Sequence, residues 1–588
     1  MYAEEMSQQK ISGTTTVSEC DSTDTRTSPS GGRVNTNKMG VLGAISYIIG
    51  NVVGSGIFIA PTTVLAQTDS VGVSLLVWAI AALISILGAL CYVELGTSIR
   101  TSGADFAYLC YVKWYPLAFG FMCVGCVVLF PVAIAVQAQT FSEYLIQGFR
   151  IEICDAWAAY MAKKLLGFAL IWLLMFMNFF SLKTFVSRFQ IVATFAKITA
   201  TAIVIITGFY FLIFKGMTEN ISAPFEDAKF QVGTMVSAIL SGLFAYDGWD
   251  ILNYGAEEIE KPRRTMPLAI IIGLTSVAFI YLATNVSYFV VLTKTEVLES
   301  SAVASTFAQH TLGNFQYAIP FLVSILLIGS LNGSIFSASR RIIKDSACRY
   351  LHAAARQGHL PPFISCANDQ YDSPRAALVV CILLSMAMSF AGDLDTLINY
   401  ASFAQWLQRA CTMCALVWIR LKHKPVHQEA IRTPIFLPIG FAAACLALIV
   451  VETIHDQQVS GMGFAALFGG FIIYFLFLYD KSLPSLKTYQ RVSKALNYAV
   501  TMVTQVLLNA LPERNNCGEF TEALLMNTCN GSTTFSAASS ANKPPIATAE
   551  SSFKEKTKRF FGRFSSKVAD VSAAIPKAEE AKTDVTPK

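Results

Sequence analysis

From about residue 41 to residue 479 the chain is a succession of apolar stretches, each about twenty residues long and separated by short polar or basic segments. That is the length an α-helix needs to cross the roughly 30 Å hydrocarbon core of a bilayer. A soluble particle of 588 residues cannot bury a dozen of them, and with 54% hydrophobic and only 14% charged residues it has too little polar surface to try. Spans are expected near 41–63, 73–96, 117–141, 166–182, 188–214, 233–256, 267–290, 317–339, 376–391, 394–419, 433–452 and 461–479. Inside lipid every backbone polar group must be satisfied by the protein itself, so the expected fold class is an all-α membrane protein with twelve transmembrane helices.

The flanks read differently. Residues 1–38 are rich in Ser, Thr, Gly and charge and hold no apolar segment of signal-peptide type, which predicts a disordered cytosolic tail. Residues 39–480 form the twelve-helix domain. Residues 481–514 mix Leu, Tyr and Val with Lys487, Arg491 and Lys494, the pattern of an amphipathic helix on the inner membrane surface. The remainder, 515–588, reads as a largely disordered cytosolic tail carrying a basic-aromatic patch, Lys554 to Phe564, suited to anionic lipid. With the N-terminus inside, the cytosolic loops between spans hold seventeen Lys and Arg against six outside, which puts both termini in the cytosol. The formal charge of +5 is too small and dispersed for a nucleic-acid partner, and the fourteen cysteines fall mostly within spans as small apolar fillers.

Two spans are interrupted by residues that a uniform helix does not need. The first carries Gly54–Ser55–Gly56–Ile57–Phe58. Its glycines favour an unwound backbone whose bare N–H groups, at the positive end of a half-helix, would seat a substrate carboxylate; close helix packing is the competing explanation. The sixth carries Ser241–Gly242–Leu243–Phe244–Ala245–Tyr246–Asp247–Gly248–Trp249–Asp250. Two carboxylates in mid-span need water, a partner or a ligand. Unwound carbonyls at Phe244, Ala245 and Asp247 would accept an ammonium group, with Phe244 or Trp249 as an apolar lid, while Asp250 serves equally well as a structural helix-end acceptor. Interruptions in the first and sixth spans predict two five-helix repeats of inverted topology, a 5+5 core, with two additional helices. Bare donors facing bare acceptors best match an amino acid. Lys197, well inside the fifth span, either holds carbonyls of the first or eighth span in place of a bound cation or snorkels to the interface. No metal spacing, phosphate loop or nucleophilic triad points to an enzyme, and no cofactor is expected.

These interruptions occur together with Asn253–Tyr254–Gly255–Ala256–Glu257–Glu258, with Asn332–Gly333–Ser334–Ile335–Phe336 in the eighth span, and with Gly358–His359–Leu360–Pro361. In that order the motifs resemble the L-type amino acid transporter family, the light chains of heteromeric amino acid transporters within the amino acid–polyamine–organocation superfamily, over about residues 38–480. The resemblance implies sodium-independent exchange at the plasma membrane by alternating access. It implies that Gly54, Ser55 and Gly56 bind the α-carboxylate, that the backbone of Phe244, Ala245 and Asp247 binds the α-amino group with Phe244 as gate, and that Lys197 is the fifth-helix lysine; Ile57 and Trp249 complete the expected substrate-binding set.

Where the bulky-neutral branch has glycine this chain has Asp247, so neutral and cationic L-amino acids are the implied substrates. The resemblance also implies that Cys154, in the external loop before the fourth span, joins a single-pass glycoprotein heavy chain through a disulfide, although the family's prolines around that cysteine are missing; a free external thiol is the alternative. Arg341 through Tyr350 are about ten residues more than the family pattern has at that place. A proton-coupled transporter, a transport-inactive amino acid sensor and a channel remain open on the sequence.

Overall fold

The computed structural model describes residues 39–99, 104–179, 183–226, 228, 230–254, 259–335, 360–367, 375–427, 430–479, 482–508 and 511–512. The two tails, the 341–350 segment, Gly255 to Glu258 and the Gly358–His359 pair lie outside them. Each predicted span falls on helix. The first is two pieces, α1 (Val41–Val52) and α2 (Gly56–Thr68), bent by 51° at the break. There follow α3 (Val71–Ser98), α4 (Ala104–Tyr111), α5 (Tyr115–Gly148), α6 (Ala156–Phe179) and α7 (Lys183–Phe214). The sixth span is α8 (Val232–Ala245) and the short α9 (Ile251–Tyr254), and α10 (Pro262–Val291) comes next. The short α11 (Lys294–Glu299) and α12 (Val303–Thr311) lead into α13 (Ala318–Ile335), α14 (Arg375–Met388), α15 (Leu394–Leu421), α16 (Phe436–His455), α17 (Gln457–Ile473) and α18 (Lys487–Leu508).

Among the described residues eight helices are long and apolar enough to cross a membrane, nine when the bent pair counts as one span. α8 and α14 are apolar but shorter. The 28 residues of α15 are long enough but include Asp395, Arg409 and Arg420. The outer faces carry Leu83, Phe176, Phe195, Ile213, Phe279, Val450 and Phe468, each more than half exposed. In water such a surface would cost about 25 cal/mol for every Å² left wet, whereas lipid tails solvate it at no such cost. The chain is a multi-pass membrane protein.

Packing explains where the helices sit. α5 is mostly enclosed, and its path is set by a π-turn at Gly125–Leu129 just before Pro131, whose missing N–H and ring disturb the preceding turn. It meets α17 at two glycines, since a Cβ on Gly470 would lie 2.8 Å from the Gly120 Cα. That closeness is the small-residue packing by which membrane helices gain dispersion contact. α10 packs on α1, α3 and α7; α13 packs on α5 and α7; α8 lies against α2, α3, α15 and α16.

Two expectations change. α6 begins at Ala156, ten residues before the expected 166, because its lysines find partners: Lys163 Nζ is 2.8 Å from Glu143 Oε1, and Lys164 Nζ donates to the Ser389 carbonyl. Read one residue at a time, Lys163 and Lys164 look like a loop. The other is a correction. Cys154 is an exposed free thiol, and none of the ten described cysteines forms a disulfide, which would require a second sulfur at about 2 Å. The heavy-chain link through Cys154 is therefore withdrawn.

At the end where α3 and α15 meet, Arg420 makes a bidentate pair with the buried Glu94, which also accepts from the Thr433 backbone N–H at 3.1 Å. Breaking a buried pair by removing one partner strands the other charge, at about 3 to 5 kcal/mol. Glu94→Ala should therefore lower the melting temperature in detergent clearly, and Glu94→Ala/Arg420→Met should recover much of the loss. Equal melting of the single variant and the unaltered protein would show that the pair carries no such weight.

Candidate functional site

The first break is built locally. Val53 has ψ of 87°, which turns the chain out of the helix, and α2 restarts at Gly56. Pro61 inside α2 has no N–H to give the Ile57 carbonyl, which loosens the first turn. The leading N–H groups of α2, those of Gly56 and Ile57, have no intrahelical acceptor. Ser55 is buried.

The second break follows Ala245, where Gly248 takes φ of +95°, a backbone conformation that L side chains rarely adopt. The breaks touch. A Cβ on Gly56 would lie 2.6 Å from the Ala245 Cα, and Asn51 Nδ2 donates to the Gly248 carbonyl at 3.0 Å. From α10, the buried Tyr281 hydroxyl lies 2.8 Å from the Val52 carbonyl and 3.0 Å from the Ala245 carbonyl, sharing one proton between the last residues of two half-helices. Behind it Tyr281, Tyr246 and Trp78 form an aromatic cluster with ring centroids 4.8 to 6.0 Å apart. Of the three expected acceptors, the Phe244 carbonyl already takes the Asp247 N–H at 3.2 Å and the Ala245 carbonyl takes Tyr281, so each keeps one lone pair. Among the described residues no donor reaches the Asp247 carbonyl.

The carboxylates of this region are tied to α15. Asp247 Oδ1 accepts from Arg409 Nη2 at 2.5 Å and from Gln405 Nε2 at 2.8 Å. Arg409 is 1% exposed and stands over the rings of Trp249 and Trp406 at 4.5 and 5.0 Å. Asp105 accepts from Tyr92 at 2.6 Å and from Gln408 at 3.1 Å, while Asp250 is buried beside the same network. Arg409, Gln405 and Asp105 escaped the sequence reading. Arg409 carried a signal, since an arginine inside a span marks a functional site by default.

The remaining candidates spread around the breaks. Phe244 is half-buried beside the unwound segment, whereas Trp249 is fully buried with its ring edge-on to Tyr92 at 5.0 Å, and Ile57 faces the core. Lys197 Nζ donates to the Gly50 carbonyl of α1 at 2.8 Å. In α13, Asn332 accepts from Asn178 at 2.8 Å, Ser334 from Gln137 at 3.0 Å, and the Ser330 hydroxyl lies 4.0 Å from where a Gly54 Cβ would stand. On the opposite side of the breaks, Tyr144 donates to the Phe58 carbonyl at 2.9 Å and Thr63 to Asp395 at 2.6 Å. Among the described residues no group of His, Cys, Asp and Glu could hold a metal ion.

The contact of the two breaks leaves no room for a methyl group. Gly56→Ala would force the half-helices apart, and Gly248→Ala adds backbone strain to a 2.4 Å approach on Asn51 Nδ2, each costing about 1 to 3 kcal/mol. Both should lower the melting temperature and abolish amino acid binding in a ligand-shift assay. Gly440→Ala, whose Cβ would meet nothing within 4 Å, is the control expected to change neither.

A family model described as amino acid permease matches residues 39–506. The chain is 53% identical over 487 residues to amino acid transporter protein 6 of Caenorhabditis elegans, covering 83% of this chain and 91% of that one. It is 36% identical over 472 residues to the mouse b(0,+)-type amino acid transporter 1, covering 80% and 93%, and 35% identical over 478 residues to the human cystine/glutamate transporter, covering 81% and 91%. Matched over most of its length by a family model and by such relatives, a chain with two broken, facing helices belongs to the amino acid permease family, beside the light-chain amino acid transporters.

Proposed function

We propose that the protein is a sodium-independent exchanger of neutral and cationic L-amino acids, a transporter and not an enzyme, working at the plasma membrane by alternating access. The observation that carries this reading is the direct contact of the two helix breaks, Gly56 against Ala245. It brings the N–H end of one half-helix and the carbonyl end of another to one place, which is the arrangement a zwitterion needs. The likeness to a b(0,+)-type amino acid transporter supports the substrate classes.

In this reading Gly54, Ser55, Gly56 and Ile57 present N–H groups to the α-carboxylate. The remaining lone pairs of Phe244 and Ala245 and the Asp247 carbonyl take the α-ammonium. Half-buried Phe244 is the lid, with Trp249 as its buried support. The twelve helical stretches form two inverted five-helix repeats, opening with α1–α2 and α8–α9, followed by α16 and α17. Both termini lie in the cytosol in this reading, which the excess of Lys and Arg in the loops on that side supports. α18 lies along the inner lipid surface, supported by the exposure of Val492, Leu496, Val503, Val506 and Leu507.

Lys197 performs the work of a bound cation by holding the Gly50 carbonyl, which is why sodium is not needed. Purified protein in sodium-free proteoliposomes should take up labelled leucine and arginine only when leucine is loaded inside. Lys197→Ala should slow that exchange by about tenfold or more, equivalent to about 1.4 kcal/mol. Uptake into empty vesicles driven by a pH gradient would reject exchange in favour of proton coupling.

A further inference from the structure

A buried cation beside the second break is used by none of the substrate contacts above. Arg409 is 1% exposed, and among the described residues its one ion pair is with Asp247. Both donors on that carboxylate, Arg409 Nη2 and Gln405 Nε2, converge on Oδ1. Oδ2 receives no hydrogen bond among the described residues, and the Asp247 side chain is 37% exposed. The carboxylate thus stands between the buried guanidinium and the open space at the second break, bound on one oxygen and available on the other.

We propose that the Asp247–Arg409 pair sets the charge selectivity of the subsite that receives the substrate side chain, with Arg409 as an internal counter-cation. The inference rests on the transport reading above. A lone aspartate in this setting would be left uncompensated by a leucine side chain and would reserve the site for cations. With Arg409 behind it, a neutral side chain strands no charge, while a lysine or arginine side chain still gains Oδ2. Without the carboxylate, the subsite would face a guanidinium, whose planar set of donors suits a carboxylate-bearing side chain. Asp250 and Asp105 act on the same guanidinium from further off, and the Asp105 oxygens are already occupied by Tyr92 and Gln408. Both are buried, and they lower the field of Arg409 from within the protein. Arg409 is in this sense a positioning and specificity residue, acting on substrate through Asp247.

The test compares full-length protein with Arg409→Gln, Asp247→Asn and Asp247→Asn/Arg409→Gln in sodium-free proteoliposomes loaded with leucine, measuring kcat/KM for arginine, leucine and glutamate. Arg409→Gln should raise the arginine-to-leucine ratio by about tenfold, mainly through KM. Asp247→Asn should lower it by about tenfold and admit glutamate as a substrate or competitor. The double variant should return the ratio to between those of the single variants and lose glutamate again. Equal loss for all three substrates, or a double variant that behaves as Asp247→Asn, would overturn the proposal.

If Arg409→Gln does not fold, the comparison of the double variant with Asp247→Asn decides alone, through the loss or persistence of glutamate acceptance. Should the unaltered protein transport none of the three, the transport reading fails separately. The pair is then judged by the same ratios in ligand-induced melting shifts.

Discussion

A helix broken inside a membrane leaves carbonyls and N–H groups where no water can reach them, and each unsatisfied group there costs several kcal/mol. The shared proton of Tyr281 answers this at both breaks at once, since its hydroxyl sits against the Val52 and Ala245 carbonyls. Asn51 reaching the Gly248 carbonyl does the same one turn away. The groups left over, at the start of α2 and at Asp247, are then not defects of folding but open valences gathered at one point. α10 supplies the tyrosine, and it can do so because it packs on α1 and α3. The site therefore depends on a helix that contributes no unwound backbone of its own.

Charge follows a similar economy. Asp247, Asp250 and Asp105 would be costly neighbours in a low-dielectric interior. One guanidinium, seated over two tryptophan rings and hydrogen-bonded to Asp247, offsets them together. The rings matter because a guanidinium is weakly hydrated and stacks well on aromatic faces, which an ammonium does less readily. Trp249 thereby serves the charge network from beneath, while Phe244, at the end of α8, stays half-buried.

Much of the architecture was legible. Length and apolarity are local properties, so each of the twelve stretches falls largely on helix among the described residues, and the glycines at 54, 56 and 248 mark both breaks. Where the reading slipped, the cause was a partner distant in sequence. Lys163 and Lys164 looked like a loop because nothing nearby in sequence neutralises them, yet Glu143 and Ser389 do so in space. Cys154 was read by likeness to a family pattern and is a free exposed thiol. Arg409 was passed over although an arginine inside a span is itself a signal, because its partner Asp247 lies 162 residues away.

The sequence by itself determined that this chain crosses a membrane many times as helices, and that two of them cannot be continuous, because periodicity, apolar length and the absence of a Cβ act within a few residues. Tertiary structure alone decided that the two breaks face each other, that one tyrosine spans them, and that Asp247 has Arg409 at its back from 162 residues away. Those are pairings between helices, set by which faces pack together, and no local rule of the chain encodes them.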